Sequence, residues 1–299
     1  MKINTYDAII IGGSYAGLSA AMSLGRALRK VLIIDSGNPC NKQTPHSHNF
    51  LTQDGKKPSE IAEIGLKQVL SYSTVESMNG KVIGTTKSKD GFDVQLATGK
   101  SYFAKKLLFA TGIADQKPAI EGFADCWGIS IIHCPYCHGY EVKGQPTAIM
   151  ANGDKAFHLS KLLQNWTNEL TLLTNGPSEL TAEQQAALKA NGIPMITDKI
   201  TSISHKNGQL ESIHFETGAS ISLPVMYAAI PFLQHTDLPE KLGCQVNEHG
   251  YLVINEKQET TVPGIYAAGD NSSPLRAVAM AVAGGSKAGA MINFDLVMG

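Results

Sequence analysis

Residues 6–35 restrict the possible folds of this chain more than any other stretch. Tyr6-Asp7-Ala8-Ile9-Ile10-Ile11 is a short apolar run, of the kind buried on both faces of a parallel sheet. It leads into Gly12-Gly13-Ser14-Tyr15-Ala16-Gly17. Leu18 to Arg26 then reads as a helix, and Val31-Leu32-Ile33-Ile34-Asp35 as a second buried strand ending in an acid. Strand, glycine turn, helix, strand and terminal acid make the βαβ unit that binds dinucleotides. The turn lets backbone N–H groups and the helix N-terminus approach a pyrophosphate. Asp35, roughly 20 residues after the turn, is placed for a ribose hydroxyl. One position departs from the fingerprint: Ser14 takes the middle glycine place, which brings a Cβ, and also a hydroxyl donor, near the pyrophosphate.

The architecture repeats without an obvious repeat of sequence. Pro146 to Ala151 is a strand, Ala151-Asn152-Gly153-Asp154-Lys155-Ala156 a turn, and the following helix runs to about Trp166 before a strand at Glu169–Thr174. Between the two units, Lys81–Thr86, Phe92–Ala97 and Tyr102–Phe103 read as antiparallel strands, and Lys106–Gly112 as a separate buried strand. Beyond the second unit, Thr181–Asn191 is a helix stopped by Gly192. Stretches near Met195–Thr197, Gly208–Glu216 and Ala219–Leu223 suggest a second antiparallel meander, and Val225–Ile230 a buried strand. Thr260–Asp270 reads as a strand ending in Gly269-Asp270, followed by an Ala- and Gly-rich helix from about Arg276. Cys40–Lys57 is polar and turn-rich and carries His46, His48 and Asn49; it reads either as a cover over a cofactor or as plain surface.

The chemistry is concentrated in Ile132-His133-Cys134-Pro135-Tyr136-Cys137-His138-Gly139-Tyr140-Glu141. Two cysteines separated by two residues close a small disulfide. Exchange needs a thiolate, and a neighbouring imidazole takes or returns its proton. Cys40, Cys126 and Cys244 make five cysteines in all, an odd and sparse set that argues against a secreted disulfide scaffold. The Cys-x-x-Cys-His string also fits haem attachment, which needs export from the cytoplasm. For zinc, adjacent pairs such as His133-Cys134 seldom share one tetrahedral ion, so no metal is expected. A net charge of −1 gives no support for nucleic-acid binding, and no apolar run approaches the ~20 residues that span a bilayer. Met1 to Thr5 shows no leader-like pattern, so a cytoplasmic location is expected.

Taken in order, the opening fingerprint, the central Cys-x-x-Cys just before a second βαβ unit, and the terminal Gly264-Ile265-Tyr266-Ala267-Ala268-Gly269-Asp270 resemble the low-molecular-weight thioredoxin reductases over nearly the whole chain. The resemblance implies two doubly wound, three-layer Rossmann-like domains. Residues 1–115 and 236–299 would form an FAD domain, and residues 116–235 an inserted NAD(P)H-type domain carrying the cysteines. It implies FAD contacts at Gly12, Gly13, Ser14, Ala16, Gly17, Asp35, Thr111, Gly112, Gly269 and Asp270. The helix opening at Arg276-Ala277-Val278 would aim its positive end at the flavin. Cys137 would exchange electrons with the flavin, while Cys134 attacks or releases the substrate sulfur. Where typical reductases have an acid after the second cysteine, His138 stands here as a proton shuttle. Relatives of this kind are commonly homodimers and act on small or protein disulfides.

Two features set the chain apart. Cys-Pro-Tyr-Cys-His-Gly-Tyr-Glu is similar to a sub-branch that includes fungal dithiol oxidases, flavoenzymes that close disulfides and pass electrons to oxygen. The strand after the second turn ends in Thr174-Asn175-Gly176-Pro177, and no arginine lies between Arg29 and Arg276. A bidentate clamp for the NADPH 2′-phosphate is therefore missing, and weak or absent NAD(P)H binding is expected. Three readings follow: an FAD-dependent reductase-like exchange of two electrons with the Cys134/Cys137 pair, a dithiol oxidase using oxygen, or a flavin redox sensor that does not turn over.

Overall fold

A computed structural model describes residues 5–298 of the chain. Residues 1–4, on which the absence of a leader was read, lie outside the described residues. The chain divides into two compact units. The outer one comprises the described parts of 1–42, 49–114 and 232–299, and the inner one 43–48 and 115–231. Residues 43–48, expected with the outer unit, belong to the inner one.

In chain order the outer unit begins with β1 (Thr5–Ile11), α1 (Tyr15–Arg26), β2 (Val31–Asp35), α2 (Pro58–Val69) and β3 (Val75–Asn79). It continues with β4 (Val82–Lys87), β5 (Phe92–Leu96) and β6 (Ser101–Phe109), and then comes β7 (Ile113–Asp115). The inner unit holds α3 (Phe123–Cys126), β8 (Ile131–Ile132), α4 (Pro135–His138), β9 (Thr147–Met150), α5 (Gly153–Leu163) and β10 (Leu170–Leu173). Next are α6 (Ala182–Ala190), β11 (Met195–Ile196), β12 (Ile200–Lys206), β13 (Gln209–Phe215), β14 (Ser220–Ile221) and β15 (Val225–Ala228). The chain then returns through β16 (Phe232–Gln234), α7 (Leu238–Lys241), β17 (Ile265–Ala267) and α8 (Val278–Met298).

The outer sheet runs β3-β2-β1-β6-β5-β4, with β17 also paired to β6. Strands β1, β2, β3, β6 and β17 are mutually parallel where they pair, and β4 and β5 extend the sheet antiparallel. One face packs on α1 and α8 through Leu24, Ala288 and Ile292; the other packs under Val82, Val94, Leu238 and Leu252. The apolar runs of β1 and β2 are needed because both faces are covered. Helices α1 and α8 lie backbone to backbone: a side chain on Gly285 would collide with the Ala16 carbonyl.

The inner sheet, β11-β10-β9-β15-β8, is parallel throughout. Ala156, Leu163 and Leu188 of α5 and α6 cover one face, and Ile203, Ile213 and Phe215 of the β12-β13-β14 meander cover the other. Helix α6 starts at a capping box. The Thr181 hydroxyl accepts from the Gln184 N–H, and the Gln184 side chain accepts in return from the Thr181 N–H. No helix among the described residues is long and apolar enough to cross a membrane.

Four expectations change. Tyr102–Phe103 and Lys106–Phe109 belong to one strand, β6, whose start pairs antiparallel with β5 while its length pairs parallel with β1. Strand β11 joins the parallel sheet beside β10 rather than the meander, because the Leu172 N–H donates to the Pro194 carbonyl and aligns it there. The strand expected from Thr260 is confined to Ile265–Ala267, since Val262-Pro263-Gly264 turns and Ile265 N–H closes back on Val262. Helix α8 begins at Val278, after the Arg276 and Ala277 N–H groups have bonded locally to Pro274 and Leu275.

Candidate active site

In the outer unit a cavity of about 500 Å3 opens over the ends of β1 and β2, lined among others by Gly12, Gly13, Ser14, Tyr15, Asp35, Lys42, Lys81, Thr111 and His235. Gly12 has φ +110°, and a side chain there would run into the Ala110 carbonyl. A Cβ on Gly13 would lie 2.9 Å from that of Asp35, and one on Gly17 would collide with the Gly12 carbonyl. These glycines let β1, α1 and β2 close up and leave backbone at the cavity wall. The Ser14 side chain makes no capping bond to α1. The first-turn N–H groups of that helix have no partner within the helix, and they make a natural seat for a pyrophosphate. The residues therefore fit a dinucleotide. Lys42 and Lys81 add positive charge from separate loops, which sequence spacing gave no reason to join to the turn. Tyr15 donates to the Pro58 carbonyl at 3.0 Å and accepts from Asn41, and burial pushes its phenol pKa up.

Other expected cofactor residues stand outside the lining of this cavity in the same unit, tied to it through Thr111. Gly269, at φ +92°, lies so close to Ala16 that an added Cβ would sit 3.1 Å from that of Ala16. Asp270 faces Arg276 Nε at 3.7 Å, both largely buried. Asn271 donates to the Phe109 carbonyl at 2.8 Å and to the Thr111 hydroxyl at 3.3 Å, fastening this loop to the end of β6. Gly112 follows with φ +63°. The Ala277 carbonyl accepts from the Ala281 N–H and opens α8 just before Val278.

In the inner unit Cys134 and Cys137 form a disulfide, with Cα atoms 5.3 Å apart. Cys134 precedes the single turn α4, and its carbonyl accepts from the N–H groups of Cys137 and His138, each at 3.2 Å. Pro135 at the first position favours that turn. Gly139 is required where it stands, because a Cβ would lie 2.7 Å from the Trp166 indole nitrogen. Trp166 in turn meets the exposed Tyr136 ring edge-on at 5.7 Å. His133 stacks on Trp127, which stacks on Phe123, so Trp127 is core. His138 is partly buried; burial holds its imidazole below the usual pKa, the neighbouring His48 acts in the same sense, and the Glu141 carboxylate opposes both. His48 Nδ1 lies 3.6 Å from Glu141 Oε1. Sequence reasoning singled out His138 but gave His48 no role; its only signal was a pair of histidines in a polar loop. Burial pushes the Cys126 and Cys244 thiols up, which makes them poor nucleophiles. Among the described residues no group of histidines, cysteines and carboxylates is arranged to hold a metal ion.

The second turn is built differently from the first. Asn152 caps α5: its side-chain oxygen accepts from the N–H groups of Gly153 at 2.9 Å and Glu179 at 2.8 Å, and its amide donates to the Pro177 carbonyl at 2.9 Å. Asp154 in the first turn is held by Gln184. A donor that serves a pyrophosphate in such turns is thus already satisfied, and Asp154 and Glu179 put two carboxylates at the turn.

A redox disulfide in a chain with two dinucleotide-type βαβ units defines a nucleotide-linked disulfide oxidoreductase. The sequence pattern of the Pyridine nucleotide-disulphide oxidoreductase family matches residues 6–285. The chain is 32% identical over 300 residues to thioredoxin reductase aclD of Aspergillus oryzae, across 96% of this chain and 95% of that one. It is 31% identical over 306 residues to thioredoxin reductase tcpT of Claviceps purpurea, across 98% and 95%. The solved structure of an oxidoreductase from Agrobacterium tumefaciens is similar with a TM-score of 0.92 at 37% identity, covering 98% of this chain and 99% of that one. The chain belongs to the pyridine nucleotide-disulphide oxidoreductase family, and it is a thioredoxin reductase-like, FAD-dependent enzyme that acts on sulfur groups.

Proposed function

We propose that Cys134 and Cys137 are the catalytic pair, cycling between disulfide and dithiol, with Cys134 exchanging with the sulfur of a small or protein disulfide or dithiol. Cys137 is the partner of the flavin, and His138 carries the proton. The observation that supports this most directly is the closed Cys134–Cys137 bridge with the His138 imidazole on the same helical turn. Bound FAD supplies two-electron chemistry. The outer unit holds it at Gly12, Gly13, Ser14 and Asp35, with Ala16 and Gly17 shaping that turn, and further contacts come from Thr111, Gly112, Gly269, Asp270 and the Arg276-Ala277-Val278 opening of α8. In exchange with a substrate dithiol, one substrate thiolate attacks the enzyme disulfide and the cysteine that leaves takes a proton from His138. The second substrate thiol then closes the substrate disulfide and leaves the enzyme dithiol; the reverse sequence reduces a disulfide. Similarity to enzymes named thioredoxin reductases supports disulfide substrates. It also supports a homodimer, which a monomeric mass in solution would overturn. The two buried thiols Cys126 and Cys244 fit a reducing cytoplasm.

Two observations favour a second reading for the direction of flow. The Asn152 cap and the missing arginines support weak nicotinamide binding in the inner unit, and so dithiol oxidation with oxygen as the final acceptor. Anaerobic mixing decides this. Bleaching of the flavin by a dithiol and recovery in air, with no rapid bleaching by NADPH or NADH, supports the oxidase. Rapid bleaching by NADPH leaves the reductase direction, and bleaching by neither donor sinks the exchange itself.

A further inference from the structure

We propose that His48, positioned by Glu141, completes a proton relay with His138 beside the Cys134–Cys137 pair. The proposal rests on His138 being the group that moves the proton.

Three observations converge on it. The six residues 43–48 leave the unit that holds their chain neighbours on both sides and belong with the inner unit. There Gln43 and Thr44 crowd Gly128, where an added Cβ would lie 2.8 Å from the Gln43 amide nitrogen. The segment ends at His48, whose ring is 3.6 Å from the Glu141 carboxylate and largely shielded, while Glu141 is 40% exposed. Glu141 follows His138 by one short loop, and both His48 and Glu141 bear on the His138 imidazole, the first lowering its pKa and the second raising it. Nearby, the His46 ring stands 6.4 Å from that of His48. Tyr227, buried on β15 next to Ile132, stays a neutral phenol under burial and the Glu141 charge. Lys143 is engaged over the Tyr140 ring at 3.5 Å.

The chemistry needs more than one imidazole. Closing the enzyme dithiol to its disulfide gives up two electrons and two protons, whether they pass to the cofactor or to a substrate disulfide. His138 holds one proton, and its partial burial resists a standing positive charge. A second imidazole anchored by a carboxylate that reaches solvent takes the proton onward. In the reductive direction the same path returns it. The Glu141 carboxylate favours the charged His138 ring, and burial and the neighbouring His48 disfavour it.

The two neighbours act on His138 with opposite sign, which gives the test its edge. FAD-loaded enzyme is reduced with a dithiol, and the rate of cysteine alkylation by iodoacetamide is followed against pH alongside the His138 titration by NMR. Glu141→Gln should lower the His138 midpoint and raise the thiol midpoint. His48→Gln should move both the other way, each by about half a pH unit. Glu141→Asp should restore the wild-type profile in large part. Flavin content and circular dichroism confirm folding of each variant. Unmoved midpoints, or two variants that shift them in the same direction, overturn the relay. His138→Ala separates the layers. If it moves the thiol profile while the other two do not, the relay fails and the role of His138 stands; if it does not, the role of His138 fails as well.

Discussion

Asn152 and Glu179 are joined across 27 residues of sequence, the side-chain oxygen of the first accepting from the backbone N–H of the second at 2.8 Å. That bond, with those to Gly153 and Pro177, ties the β9–α5 turn to the loop after β10. The two βαβ openings of this chain therefore share a pattern but not a construction. At α1 the serine in the capping position caps nothing and a cavity meets the turn, whereas at α5 an asparagine fills the corresponding place.

Removing that asparagine should cost stability. Asn152→Ala loses a helix cap and two loop ties, an expected loss of about 1–2 kcal/mol. Urea unfolding followed by inner-unit tryptophan fluorescence measures it. An unchanged midpoint would mean that the turn holds its shape without the cap.

Gly17→Ala should release the cofactor. The new methyl would meet the Gly12 carbonyl, forcing α1 away from β1 at an overpacking cost of about 1–3 kcal/mol. The ratio of flavin to protein absorbance in purified material should fall well below that of the wild type. A full complement of FAD in this variant would refute the tight turn.

The two cysteines should differ spectrally. Cys134→Ser leaves Cys137 as a lone thiolate and is expected to abolish turnover while giving a long-wavelength flavin charge-transfer band. Cys137→Ser should give no such band. If the band appears in the second variant instead, the assigned order of the cysteines is reversed.

Acid should destabilise the protein through His138. Its folded pKa is depressed, first by burial and then by His48, so the unfolded chain binds the proton more readily. The resulting contribution to stability is fully present above the ordinary imidazole pKa of about 6.5 and is lost as pH falls through the folded value. Melting temperatures of the oxidised enzyme between about pH 7 and about pH 5 should therefore fall more steeply for wild type than for His138→Gln. Parallel slopes would remove His138 from the acid response.

Much of this protein was written locally. The apolar runs Ala8–Ile11 and Val31–Ile34 are buried almost completely, and Gly12 and Gly17 between them stand where a side chain would strike backbone. Helix α6 with its stop at Gly192 and the tight cysteine pair were equally legible, because each depends on residues a few positions apart. Strand β3 was not legible: Glu76-Ser77-Met78-Asn79 is mostly exposed and becomes a strand by pairing with β2. Nor was the continuity of β6, whose two halves answer to different partners.

The sequence by itself determined the two dinucleotide-type units, their glycine turns and the redox pair, since hydrophobic periodicity, φ preferences and Cys-x-x-Cys spacing act over a few residues. Only the tertiary structure decided that the second turn is closed by Asn152 and that His48 stands against Glu141 beside the cysteine loop. Both depend on contacts between residues 25 or more positions apart, formed once packing has brought distant segments together.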